Sequence, residues 1–184
     1  MNFKAIFRKL IPMRWQRTSK GEPLSMVLLL RKPHLFSAEE LRLAAKRAWR
    51  ISFTGGEGSI HCVEQVGEVT LLKAGPHVLN FFYYPEPYFE NTKENIEWLP
   101  QVSQRQAWMQ HSACIGVDYL NSDVDVELAY CIISKLVAEM LDGNCTGIYI
   151  PRESRVIPND ESLYLELQKI ASSREFEITV NITD

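Results

Sequence analysis

Apolar residues recur along this chain with two different periods, which predicts a mixture of strands and helices. An unbroken apolar run from Met26 to Leu30 indicates a strand that is covered on both faces or lies at the centre of a sheet. A capping box at Ser37-Ala-Glu-Glu then predicts a helix with a buried stripe at Leu41, Ala44, Ala45 and Ala48. Three β-prone segments separated by turns follow at 60–66, 69–73 and 78–84, a pattern typical of an antiparallel meander.

The second half of the chain continues this alternation and completes the predicted fold. Its predicted elements are helices at 92–99 and 103–111, a strand at 114–120, a long helix capped by Ser122-Asp-Val-Asp125 and ended by Gly143, a strand at 145–150, a helix after Pro158-Asn-Asp160, and a strand at 176–182. A helix that long between two strands implies a right-handed parallel crossover. The predicted fold class is therefore α+β, a two-layer sandwich in which a mixed, mostly antiparallel sheet is packed by helices.

Charge divides the chain into two parts. Residues 1–21 hold six of the 20 basic residues and no acid, whereas the remainder holds 14 basic and 23 acidic residues and so has a net charge of −9. Within the basic part, apolar residues share one helical face and basic residues lie off it, and Pro12 stops the helix. We therefore predict a basic amphipathic arm at 1–21 and a single α+β domain at 22–184.

The arm has three competing interpretations. It is an interfacial helix on an anionic membrane, an acid-poor transit peptide, or a helix that docks on the domain or on a partner. The residues that would make these contacts are Phe3, Lys4, Phe7, Arg8, Lys9 and Leu10. No apolar stretch approaches the ~20 residues that span a bilayer. The four cysteines are spaced neither as a disulfide framework nor as a zinc site, so we expect a cytoplasmic protein, with peripheral attachment to the inner membrane as the alternative.

Several of these segments are similar to those of a known family. They are Met26-Val-Leu-Leu-Leu, Ser37-Ala-Glu-Glu, His111-Ser-Ala-Cys-Ile, the long helix to Met140-Leu141, and Thr146-Gly-Ile-Tyr-Ile150. Together they resemble an uncharacterised bacterial family, the domain of unknown function 4261 type, over most of residues 24–172. The resemblance implies a bacterial α+β domain and brings no activity, cofactor or site residue.

Catalytic and metal-binding motifs are absent from the sequence. The chain contains no GxSxG elbow, no phosphate-binding glycine motif and no zinc spacing, and the acids Asp123 and Asp125 are explained by a helix cap. His61 and Cys62 are adjacent in a predicted strand, so they point to opposite faces and cannot easily share a metal. We therefore predict no metal, no cofactor, and a non-catalytic protein in preference to an enzyme.

Two surface features remain as candidate binding residues. Aromatic residues crowd around Pro85-Glu-Pro87, and a charged loop follows the strand at 145–150. The candidate binding residues are Tyr84, Tyr88, Phe89, Arg152, Glu153 and Arg155. The leading hypothesis is a small bacterial protein-interaction module, of the immunity or accessory type, with a protein partner and no nucleic acid.

Two alternatives remain open at this point. The first is an enzyme or small-ligand-binding domain with a site near the 98–111 segment, where the polar groups would be His111, Asp118, Arg152 and Glu153. The second is a peripheral protein tethered to a membrane through residues 1–20. A closed pocket lined by His111 and Asp118 would favour the ligand site, and exposed Tyr84 and Tyr88 would favour partner binding.

Overall fold

The computed structural model of this chain describes residues 24–53, 59–67, 69–88, 96–120 and 125–174. The strands in these ranges are β1 Leu24–Leu30, β2 His61–Val66, β3 Val69–Ala74, β4 His77–Tyr84, β5 Ala113–Tyr119, β6 Cys145–Ile150 and β7 Arg155–Pro158. The helices are α1 Ala38–Trp49, α2 Val102–Gln110, α3 Val126–Met140 and α4 Glu161–Ala171, and a 3-10 turn covers Pro151–Glu153. Among the described residues, no helix is both long and apolar enough to cross a membrane.

The described strands form one sheet in the order β2-β3-β4-β5-β1-β6-β7. Every pairing within it is antiparallel, from the β2–β3–β4 meander to the β6–β7 edge. Because β1 lies between β5 and β6 and is antiparallel to both, β5 and β6 run parallel to each other and α3 connects them. The predicted α+β sandwich is confirmed, and the parallel relation across α3 holds with β1 inserted between the two strands.

One face of the sheet, which we call the helical face, carries the larger core. Met26, Leu28 and Leu30 of β1 point to this face and are buried against α1, α3 and α4. Helix α3 is buried over most of its circumference, since ten of its residues, among them Ile132 and Leu136, have little or no exposure. The hydrophobic pattern of β1 therefore predicted its central position correctly.

The opposite face, which we call the second face, carries a smaller layer. Val27 and Leu29 of β1 are buried there against Trp108 of α2, together with Tyr149 and Val156. Helix α2 contacts β7, β6 and β1, so it covers only that half of the sheet. The fold is thus a two-layer sandwich to which α2 adds a partial third layer.

Side-chain caps begin three of the helices as the sequence indicates. Ser37 and Glu40 form both hydrogen bonds of the capping box, at 3.2 and 2.7 Å. Asp125 caps α3 by accepting from the amides of Glu127 and Leu128, while Ser122 lies outside the described residues. Asp160 caps α4 by accepting from the Ser162 amide at 2.9 Å.

Two predictions in the C-terminal half are wrong. Gly143 does not cap α3, because the helix ends at Met140 with Leu141 extended, and the Asp142 carboxylate shapes the following turn by accepting from the amides of Asn144 and Cys145. Arg155 does not lie in a loop, because it begins β7, a four-residue strand entered through Ser154 in a left-handed conformation at φ 46°. The predicted strand at 176–182 and the start of the 92–99 helix lie outside the described residues.

Gly147 provides a test of how closely α2 packs on the sheet. A Cβ at this position would lie 2.7 Å from the Ile157 carbonyl oxygen and 3.3 Å from the Ala107 Cβ of α2. We expect Gly147→Ala to lower the free energy of unfolding by about 1–3 kcal/mol, because backbone and helix would both have to shift. Urea denaturation measures the change.

Gly143→Ala is the matched control. A Cβ there meets nothing within 4 Å, and the residue does not have a positive φ. We expect it to be neutral or to stabilise by up to about 1 kcal/mol, since alanine reduces the entropy of the unfolded chain. Equal effects of the two substitutions would contradict the close packing of β7 and α2 around Gly147.

Candidate functional site

Three polar side chains lie in one row across the centre of the second face. Asn80 of β4 is paired with Asp118 of β5, and Asp118 is paired with Ser25 of β1. Directly opposed residues place their Cβ atoms about 4.5–5.5 Å apart on the same face of a sheet. Asn80 and Ser25 have no exposed surface, and Asp118 is largely buried. We call these residues the central polar row.

Part of the central polar row lacks hydrogen-bond partners. Neither Nδ2 nor Oδ1 of Asn80 has a partner, and Oδ1 of Asp118 has none either. A buried polar group left without a partner costs about 1–3 kcal/mol, so most buried polar atoms in folded proteins are paired. Unpaired atoms on two adjacent side chains therefore make the central polar row a candidate binding site.

Along β5, a glycine separates the row from an aromatic border. Gly116 precedes Asp118 by two residues on the same face and contributes no side chain there. Tyr84 is paired with the buried Cys114, two residues beyond Gly116, and the Tyr88 ring lies 5.3 Å from that of Tyr149. On this face Gly116 therefore lies between Asp118 and a tyrosine-rich edge.

Burial determines how the acidic groups here titrate. It raises the pKa of Asp118 to about 7, far above the ordinary value of 3.8. Burial also raises the pKa of Tyr88, and the nearby Tyr149 and Asp118 add to this increase. The pKa of the Cys114 thiol is raised by burial to about 12, so this cysteine is a neutral thiol and a poor nucleophile. Within the central polar row, Asp118 is thus the acid that titrates near neutrality.

His111 has a structural role in the described geometry. Its Nδ1–H donates to the Trp108 carbonyl, and its Nε2 accepts from the Tyr88 amide at 3.1 Å. Burial lowers the pKa of His111, although the hydrogen bond to the Trp108 carbonyl opposes this change. A neutral imidazole with both nitrogens engaged fixes Tyr88 to the end of α2 and is not free to transfer protons.

The charged residues predicted to join a ligand site lie elsewhere. Arg152 and Glu153 are exposed in the 3-10 turn, and Arg155 forms ion pairs with Glu153 at 2.9 Å and with Glu166 of α4 at 3.3 Å. Arg155 is opposite Ile150 and therefore lies on the helical face, and two strands separate β7 from β5. The structure therefore does not bring His111, Asp118, Arg152 and Glu153 together in one site.

The aromatic residues predicted to bind a partner are either half-buried or outside the described residues. Tyr84 and Tyr88 are half-buried and pack against the α2 cluster, so they do not form a flat exposed patch. Phe89 lies outside the described residues, as does the whole arm with Phe3, Lys4, Phe7, Arg8, Lys9 and Leu10. The three interpretations of the arm remain predictions.

An exposed apolar surface that the sequence analysis did not single out lies on α2. Val102 is 67% exposed and Met109 57%, and the adjoining Trp98 is 41% exposed. Gln106 is exposed between Val102 and Met109, and the charged Arg105 uses its Nε to donate to the Leu99 carbonyl at 2.7 Å. We call Trp98, Val102, Gln106 and Met109 the outer α2 face. The available signal was a helix with a single charge and with apolar residues on both sides.

Potential metal ligands are dispersed over the described part of the chain. There, no three His, Cys, Asp or Glu side chains are grouped so that they could hold a metal ion. His61 and Cys62 point to opposite faces of β2, since they pair with Ala74 and Lys73. The four cysteines are buried and free.

Comparison of this chain with family models, with curated proteins and with solved structures found no match. The resemblance to the domain of unknown function 4261 type stays a prediction. The function is therefore inferred from the geometry of the chain itself.

Asp118 provides a test of the buried carboxyl group. Because the pKa is raised on folding, ionisation of Asp118 costs stability as pH rises from about 4 to 7, and the loss is complete above that range. We expect Asp118→Asn to unfold with a free energy higher than that of the wild type by roughly 2–4 kcal/mol at pH 8 and by little at pH 4.

Urea denaturation of both proteins from pH 4 to 8 measures this difference. Taking the difference between the two proteins cancels the opposite pH dependence of the buried histidines, whose pKa values are lowered by burial. A difference that does not change with pH would show that Asp118 titrates as an exposed acid does.

Proposed function

We propose that this protein is a small non-enzymatic binding module that recognises a protein partner through the outer α2 face. The observation that carries the proposal is the exposure of Trp98, Val102 and Met109, on a surface where Arg105, the single charge of α2, is hydrogen-bonded to the backbone and the exposed Glu97 precedes Trp98. Cores of protein interfaces are enriched in aromatic residues and Met and depleted of Lys, Glu and Asp. The partner surface that fits is apolar and uncharged.

The outer α2 face is held rigidly, which favours binding. Trp108 is fully buried beneath it and makes edge-on ring contacts with Trp98 at 5.9 Å and with Tyr149 at 5.3 Å. The Gln104 side chain donates to the Val156 carbonyl of β7 at 2.9 Å. A surface fixed in this way loses little conformational entropy when a partner binds.

The binding residues predicted from the sequence would border this face. Tyr88 contacts Trp108, with ring centroids 6.4 Å apart, and so adjoins one side of α2. The exposed turn with Arg152 and Glu153 leads into β7, on which α2 packs. In this proposal they supply the polar rim that surrounds an apolar interface centre.

The setting we propose is the cytoplasm of a bacterium, in an immunity-type or accessory role. Four free, buried cysteines are compatible with a reducing compartment. The structure offers no positive indication for the membrane tether, because the arm is outside the described residues.

A paired substitution on α2 tests the proposal. We expect Val102→Asp with Met109→Asp to weaken capture of the partner from a native lysate at least tenfold, about 1.4 kcal/mol, because each places a charge in the apolar interface. Both side chains are exposed, so the thermal unfolding midpoint should stay close to that of the wild type.

Leu165→Asp on α4 is the matched control. Leu165 is also apolar and 69% exposed, but Glu161 and Lys169 lie on the same helix. This variant should capture the same partner as the wild type. If the α2 variant retains every partner of the wild type, or if Leu165→Asp loses them equally, the outer α2 face is not the interface.

A further inference from the structure

We propose that the central polar row, with Gly116 and the border of Tyr84 and Tyr88, is a binding site for a small organic cation. The ligand class is a molecule with a guanidinium or alkylammonium group. This site is separate from the outer α2 face, since it lies over β4, β5 and β1.

The first step in the argument is the unpaired side chain of Asn80. Its amide is fully buried on the second face, and neither its oxygen nor its nitrogen has a partner. The antiparallel register places it directly opposite Asp118, whose Oδ1 is also unpaired. A buried amide and a largely buried carboxyl group, each with an unpaired oxygen, thus occupy directly opposed positions on adjacent strands.

The second step is the charge that these oxygens favour. Among the described residues Asp118 has no ion-pair partner, and burial alone accounts for its perturbed titration. A cation that donates N–H groups to both oxygens would satisfy them and would offset the buried carboxylate, and charge-assisted hydrogen bonds are the stronger kind. An anion would be repelled by the carboxylate, and an apolar ligand would leave the oxygens of both Asn80 and Asp118 unpaired.

The third step is the shape and chemistry of the border. Tyr88 lies close enough to Asp118 for the carboxyl group to affect its titration, and Tyr84, opposite Cys114, adjoins Tyr88 at the same edge. Cations bind favourably over tyrosine faces, most strongly where water is excluded. Gly116 lies between Asp118 and the Tyr84–Cys114 pair on this face and places no side chain there.

Other titratable groups lie around the row. Burial raises the pKa values of Tyr88 on the loop and of Cys114 on β5, and it lowers the pKa of His111, so these three groups are neutral near pH 7. Lys73 of β3 and Glu64 of β2 are the charged residues on the same face of the neighbouring strands. Because the pKa of Asp118 is raised to about 7, binding should follow the ionisation of Asp118.

The test is a titration of the full chain with methylguanidinium, followed by NMR of the Asn80 side-chain amide and the Asp118 carboxyl carbon. We expect saturable shifts at both positions, and an affinity about tenfold weaker at pH 6 than at pH 8, because the ionised fraction of Asp118 falls by that factor. Methylurea, a neutral molecule of the same shape, should bind at least tenfold more weakly.

Two variants and a control separate recognition from folding. Asp118→Asn and Asn80→Leu should each abolish saturable binding, and neither should unfold the chain, because each removes a buried group that is charged or unpaired. Thr70→Val is the control, since Thr70 is buried on the helical face of β3, and it should bind like the wild type.

Three outcomes would overturn the proposal. They are the absence of a saturable shift with methylguanidinium, an equal response to methylurea, and unchanged binding by Asn80→Leu. If a basic side chain of residues 1–21 occupies the row instead, methylguanidinium will not bind the full chain, and the site is then not one for a free ligand.

Discussion

The burial of β1 on both faces is the constraint on which the rest of this structure depends. Its five residues from Met26 to Leu30 have at most 1% exposure. An apolar strand of this kind must have a packed layer on each side, so α3 lies against it on one face and α2 on the other. It must also have a strand at each edge, and β5 and β6 pair with it as antiparallel neighbours.

The central polar row is an exception to this apolar arrangement. It begins at Ser25, one residue before the apolar run, and crosses β5 and β4 where α2 no longer covers the second face. Incompletely paired polar groups in a low-dielectric interior destabilise a fold. Natural sequences depart from local rules of stability mainly where function requires it. The Asn80–Asp118 pair is therefore stronger evidence for a functional site than any motif in the sequence.

Elements defined by local signals could be predicted from the sequence, and those defined by register could not. The Ser37 capping box, the apolar β1 run and the Asp160 cap depend on residues close in the chain. The pairing of Asn80 with Asp118 depends on how β4 and β5 align, and no short-range pattern specifies that alignment. A C-terminal cap at Gly143 is suggested by the sequence, but the Asp142 carboxylate shapes that turn instead. Strand β7 is too short to show an alternating pattern.

The proposed binding surfaces could not be predicted for the same reason, because short-range patterns do not show which residues the fold brings together. His111 and Arg152 were plausible partners of Asp118 as residue types, but the fold commits His111 to Trp108 and Tyr88 and places Arg152 in a separate exposed turn. The hydrophobic pattern does not distinguish the outer α2 face, because α2 has apolar residues on both its buried and its exposed sides. Only the position of Trp108 under the helix shows which side is free for a partner.

Tyr88 links the two proposed sites, and its contacts determine how strongly they can influence each other. Its ring packs against Trp108 beneath the outer α2 face, its amide is held by His111, and it lies near Asp118. Coupling between sites requires an element with two arrangements that both ligands bias. The hydrogen bond to His111 and the ring contacts with Trp108 and Tyr149 hold Tyr88 in a single arrangement. With Tyr88 fixed in this way, we expect the two proposed sites, for a cation at Asp118 and for a partner on α2, to be independent of each other.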